Sequence, residues 1–155
     1  MKYHQLNMIA VAIGLVMISG CSGKHLTTSV DNTLSLEGCS PLPNCVSSTT
    51  SVLYNRTSQL ELLVPREVGW PVIKEVVSTI PRTEIVESSD NYIHAKCKSL
   101  VFGFVDNLEL LLHPGENTIS VRSSSMIAIF DLGVNRRRIH NLRKKLEELN
   151  LIKQE

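Results

Sequence analysis

Five polar side chains in the stretch Val101–Arg138 have the chemistry to form a site: Asp106, Arg122, Asp131, Asn135 and Arg136. A guanidinium at Arg122 or Arg136 can take a carboxylate or phosphate through two parallel hydrogen bonds, and Asn135 can orient the bound group. The same atoms can instead satisfy one another and tie a closing turn to a sheet and a helix, since buried polar groups are nearly always hydrogen-bonded. Asp106 and Asp131 can also divide acid and base roles as a carboxylate pair, although no nucleophile motif accompanies them. His94 and His113 fall on a strand and in a turn, without metal-ligand clustering, and two aspartates alone are not a coordination pattern. No metal and no cofactor is expected.

These residues depend on the elements around them. Leu108–Leu112 and Thr118–Ser123 flank His113-Pro114-Gly115-Glu116-Asn117, a strong turn signal, and read as an antiparallel hairpin. Alternation puts Ile119 and Val121 on one face of its second strand, and Thr118, Ser120 and Arg122 on the other. The chain then crosses Met126–Phe130, turns at Asp131-Leu132-Gly133, and enters a helix over 136–150 with Asn135 as its cap. Ile139, Leu142, Leu146 and Leu149 recur at three- and four-residue spacing and give that helix one face to lay on the sheet.

Upstream, Leu60–Val64 predicts a short strand stopped by Pro65. The run WPVIKEVVSTI predicts a short helix with Pro71 as its first helical residue, burying Trp70, Ile73, Val76 or Val77, and Ile80. Thr83–Ser89 and Tyr92–Lys98 predict two strands joined around Asp90-Asn91. On the second, Ile93, Ala95 and Cys97 share one face, while Tyr92, His94, Lys96 and Lys98 point away. Cys97 therefore reads as a small buried hydrophobe rather than a reactive thiol partnered by His94. The expected class is α+β, a small antiparallel sheet covered by two principal helices.

Residues 1–20 have Lys2 ahead of an apolar run, Met8–Ile18, that is short for a membrane span and ends in Ser19 and Gly20. They read as a signal peptide. Ile18-Ser19-Gly20-Cys21 resembles the bacterial lipobox, which implies lipidation of Cys21 and attachment to a membrane through that lipid. Ser22 after it implies outer-membrane sorting, facing the periplasm, if the host has two membranes. The expected organisation is then a linker at 21–38, a domain at 39–150 and a fraying tail at 151–155.

Removing Lys2 from the 16 Lys and Arg leaves 15 against 15 Asp and Glu, which gives no reason to expect nucleic-acid binding. Only the tail from Val134 to Glu155 is basic, with seven cations and three acids. It can meet acidic lipid headgroups or pair with its own domain. Export permits disulfides, and Cys39 with Cys45, around Pro41 and Pro43, is the most economical local pair.

Taken together, LPNCVSS, FGFVDNLEL, ISVRSSS and DLGVNRRRIHNLRKKL resemble the bacterial DUF1499 family, named for its unknown function, over roughly Cys39–Leu149. The family includes lipoproteins. Asn107 stands where many members carry a second aspartate, Met126 where an arginine is frequent and Ala128 where a glycine is frequent. These departures weaken the transfer of any mechanism that needs paired carboxylates or a dense arginine cluster. The resulting expectation is an envelope lipoprotein acting as an accessory or binding module, with an envelope protein or a small anionic ligand as partner. An envelope hydrolase using Asp106 or Asp131 and a purely structural envelope protein are the alternatives.

Overall fold

Alternation along one strand sets the architecture. In a computed structural model that describes residues 26–28, 34–100, 103–126 and 130–155, β8 (Thr118–Ser125) turns Ile119, Val121, Ser123 and Ser125 towards two helices and Ser120, Arg122 and Ser124 away from them. The remaining elements are β1 (Leu26–Thr28), β2 (Leu34–Leu36), β3 (Cys45–Ser47), β4 (Leu60–Glu61), α1 (Arg66–Ser78), β5 (Thr83–Ser88), β6 (Tyr92–Lys98), β7 (Val105–Leu112) and α2 (Val134–Glu148). A six-stranded antiparallel sheet runs β3-β8-β7-β6-β5, with β4 also pairing β8, and β1 and β2 form a separate hairpin. The fold is α+β, a small antiparallel sheet flanked by two helices. The predicted lipidation site Cys21 and the signal residues 1–20 lie outside the described residues. No helix among the described residues is long and apolar enough to cross a membrane.

The helix-covered face holds the core. Trp70, Ile73, Val76 and Val77 of α1 and Ile139, Leu142 and Leu146 of α2 pack over Ile93, Ala95 and Cys97 of β6, Leu108, Leu110 and Leu112 of β7, and Ile119 and Val121 of β8. Fully burying one such leucine or isoleucine stabilises the fold by about 1.5–3 kcal/mol. α1 starts earlier than its sequence suggests, at Arg66, so Pro71 lies inside the helix instead of opening it. The reason is local. The amides of Val68 and Gly69 donate to the Pro65 carbonyl, and a side chain at Gly69 would meet Val64 and Leu62 at 3.0 and 3.1 Å. A Cβ there would have to push those methyls back by a few tenths of an ångström, so glycine gives the first turn its closest seat against the β4 segment.

Three further expectations give way to packing. The segment around Pro41 and Pro43 contributes β3 to the sheet edge, paired Cys45↔Ser124 through Ser47↔Arg122. Cys39 and Cys45 are joined in a disulfide at its start. The expected linker 21–38 includes the β1–β2 hairpin, and Leu36 packs with Tyr92 and Leu111 on the sheet face away from the helices. That cover buries Tyr92, and His94 is buried as well, although alternation alone had turned both outward. The tail at 151–155 is held at its start, not frayed: Leu151 and Ile152 are buried, Ile152 bridges Leu62, and the Lys153 amide donates to the Glu61 carbonyl. Two adjacent apolar residues after the helix have core to enter, and they enter it.

Candidate functional site

The five residues singled out by sequence occupy three places. Asp106, Asp131 and Asn135 belong to one network between β7, β8 and the start of α2, with Asp106 and Asn135 buried and Asp131 half-buried. Asp106 is only 3 % exposed; its Oδ1 accepts from the Ser125 hydroxyl at 2.7 Å and its Oδ2 from Arg138 Nη2 at 2.6 Å. Arg138 Nη1 also donates to Ser123 Oγ and to Asn135 Oδ1. The Asn135 amide group donates to the Asn44 carbonyl at 3.1 Å and to Asp131 Oδ2 at 2.8 Å.

The N-cap is Gly133, not Asn135, and the side-chain acceptor for the first turn is Asp131. Its two oxygens accept from the Gly133 amide at 2.8 Å and the Asn135 amide at 2.9 Å, while Asn135 is already the second residue of α2. A carboxylate there also meets the positive end of the helix dipole. Gly133, at φ 75°, makes the turn into the helix.

Arg122 lies on the opposite face of the sheet. Its Nη1 donates to Glu109 Oε2 and to Ser124 Oγ, both at 2.8 Å, and Tyr92 donates its hydroxyl to Glu109 Oε1 at 2.8 Å. Glu109 is 0 % exposed and Arg122 6 %. Arg122 Nε has no hydrogen-bond partner among the described residues. Beside this cluster His94 Nε2 meets Asn107 Oδ1 at 2.9 Å. Arg136 goes elsewhere again: its guanidinium donates to the backbone carbonyls of Tyr54 and Arg56, clamping the turn Leu53–Asn55 onto α2. Among the described residues Arg136 lines a small cleft of about 140 Å³ with Asp131, Tyr54 and Asn55, and Arg122 is not part of it.

Burial, reinforced by the Glu109 charge, pushes the Tyr92 phenol well above its ordinary range. Burial also pushes the Cys97 thiol up, against an opposing pull from Arg138. Both groups hold their protons more tightly folded than unfolded. Their contribution to stability is therefore full below the unfolded-chain values, about 8.5 for cysteine and about 10 for tyrosine, and is lost as pH rises beyond them. Urea midpoints should fall as pH passes about 8.5 and again past about 10, with Cys97→Ala flattening the first fall and Tyr92→Phe the second. Parallel pH curves for wild type and both variants would contradict these shifts.

A different feature has the shape of a site. A cavity of about 590 Å³ opens between the C-terminal end of α1, the turn into β5, the end of β6 and one face of α2 from Val134 to Lys145. Its floor is apolar, formed by Val76, Ile80, Pro81, Cys97 and Leu142. Its rim carries Arg82, Lys98, Arg137 and Lys145, with Arg138 beneath, and among the described residues no aspartate or glutamate lines it. Arg138 is neutralised by Asp106 at 2.6 Å. The other four make no ion pair among the described residues. Arg82 Nε donates to the Lys98 carbonyl and Arg137 Nη1 to the Leu132 carbonyl, which fixes both side chains without cancelling their charge. Arg82 takes a left-handed backbone conformation, φ 58°, that disfavours any residue with a Cβ. Strain of this kind collects where a side chain must be aimed.

Sequence reading missed this groove, although one signal for it was present. On α2, Arg137, Asn141 and Lys145 follow each other at four-residue spacing, beside the parallel row Val134, Arg138 and Leu142. Rows at that spacing lie on one helix face, so a cationic row runs next to a half-buried one. Arg82 and Lys98 join them only through the β5–β6 pairing, where Thr83 stands opposite Cys97. No cluster of three or more His, Cys, Asp or Glu that could hold a metal occurs among the described residues.

No curated protein and no solved structure matches the chain. A family model described as "Protein of unknown function (DUF1499)" matches residues 35–146, from β2 to the last turn of α2, a span that includes every residue lining the groove. With most of its length matched, the chain belongs to that DUF1499 family.

Proposed function

We propose that this domain is an accessory binding module of a bacterial cell envelope and that it holds an anionic ligand in the groove between α1 and α2. The observation that carries the reading is the rim: among the described residues, four cations have no carboxylate partner and surround a cavity that no acid lines. Its volume falls within the range of about 300–1,000 Å³ that small-molecule sites occupy. Cations held near an apolar wall attract an anion more strongly than the same groups do in open water. The groove, rather than Arg122 and Arg136, is thus the place for the small anionic ligand anticipated from sequence. Hydrolysis draws less support. Asp106 and Asp131, the carboxylates it would use, are both engaged in holding β8 to α2.

Titration calorimetry with inorganic phosphate tests the binding. One saturable site is expected, and Lys98→Glu combined with Lys145→Glu should weaken it at least about ten-fold, with steep loss at high salt and an unchanged melting temperature. Equal affinity in wild type and the double variant would remove the groove from the account.

Placement at the membrane rests on the lipobox-like Ile18-Ser19-Gly20-Cys21. Mass spectrometry of the membrane-extracted protein should find an acylated N-terminal Cys21, and an intact Met1 without acyl groups would reject the anchor.

A further inference from the structure

The groove presents two chemistries. A site for a bare anion needs donors around a small polar pit, yet here the charged rim surrounds a broad apolar floor of Val76, Ile80, Pro81, Cys97 and Leu142. The thiol belongs with that floor: it is 2 % exposed and accepts a hydrogen bond from Thr83 at 3.3 Å. A phosphate or carboxylate seated on the rim leaves these surfaces uncovered. A bare hydrocarbon covers them and leaves the cations unanswered.

We infer that the occupant is a single-chain anionic amphiphile, one molecule whose phosphate or carboxylate head meets Arg82, Lys98, Arg137 and Lys145 and whose hydrocarbon chain lies on the floor between α1 and α2. This rests on the anion reading of the same groove and adds the ligand class. Charge complementarity fixes the head, because each of the four rim cations lacks an acidic partner among the described residues. Lysine suits such a mouth, since its methylene stem covers apolar surface while its ammonium stays in water. Size limits the chain: about 590 Å³ is room for one small molecule, not for a bilayer surface or a folded partner. The ligand is therefore a monomer, bound one to one.

The test is a chain-length series on the full chain carrying Cys21→Ser, which cannot be acylated at that position. Inorganic phosphate, then butyl, hexyl, octyl and decyl phosphate, is titrated below the micelle-forming concentration. Affinity should rise by roughly four-fold for each methylene that leaves water, then level off once the floor is covered. Lys98→Glu should weaken phosphate and octyl phosphate alike, whereas Ile80→Asn should weaken octyl phosphate at least ten-fold more than it weakens inorganic phosphate.

The series on the unsubstituted groove stands even if Ile80→Asn fails to fold. Octyl phosphate binding no tighter than inorganic phosphate would overturn the amphiphile and leave the anion site intact. Octanol binding as tightly as octyl phosphate would overturn the head-group assignment. Binding to phosphatidylglycerol vesicles without binding to any monomer would overturn the inference as well, and no binding of phosphate or any alkyl phosphate would take the anion reading with it.

Discussion

Replacing Arg138 with methionine is expected to lower the stability of the fold by about 3–5 kcal/mol. The side chain holds Asp106 at 2.6 Å and reaches Ser123 and Asn135 with its other nitrogen. Methionine fills much of the same space but leaves a carboxylate that is 3 % exposed with the Ser125 hydroxyl and no guanidinium. Uncompensated burial of that charge is what costs stability; the attraction between the pair is largely offset by desolvation of both partners. Adding Asp106→Leu to Arg138→Met should therefore recover a substantial part of the loss. Urea unfolding measures both, with an unchanged m-value showing that stability alone has moved. A loss under about 1 kcal/mol for Arg138→Met would mean that water reaches Asp106 and that the network contributes little.

Arg122→Met is the second large effect, again about 3–5 kcal/mol, and it separates architecture from binding. Glu109, fully buried, loses the guanidinium that meets it at 2.8 Å and keeps the Tyr92 hydroxyl. The existing pair is already imperfect, because Arg122 Nε is buried without a hydrogen bond among the described residues, and such a donor costs about 1–3 kcal/mol. Glu109→Gln together with Arg122→Met should thus be less harmful than Arg122→Met alone. Because Arg122 faces the β1–β2 hairpin and the groove lies across the sheet, phosphate affinity should not change at temperatures where the variant stays folded. A destabilised protein that also loses phosphate would place the ligand at Arg122 instead.

The arginine run shows what spacing can and cannot deliver. Arg136, Arg137 and Arg138 are consecutive on a helix, so each points about 100° from the last. One clamps the carbonyls of Tyr54 and Arg56, one sits on the groove rim, and one is buried against Asp106. The apolar row Ile139, Leu142 and Leu146 was readable and fixed which face meets the sheet. Arg138, one turn before Leu142, is drawn inward beside that row, and its partner Asp106 lies 32 residues back with no local mark.

Arg122 was readable in a similar half-measure. Its alternation with Val121 placed it opposite the core, although it was grouped with Asp106 and Asn135 as one candidate site, and the burial of its own face depended on Leu36. A segment with no sustained period gave no warning that it would form a covering hairpin. The β7–β8 hairpin, by contrast, was plain from Pro114-Gly115 between two alternating runs, because turn chemistry and strand period there agree. The groove was the least legible feature, since its walls come from α1, β6 and α2 and only tertiary packing brings their cations together.

The central claim is that the anion site is the α1–α2 groove and that the polar residues around β8 are architecture. Titrating inorganic phosphate into the nitrogen-15-labelled protein and following amide and side-chain resonances tests it most directly. The account predicts saturable shifts at Arg82, Lys98, Arg137 and Lys145, with Arg122, Asp131 and Arg136 unmoved. Shifts centred on Arg122 or Arg136 while the groove stays silent would contradict it.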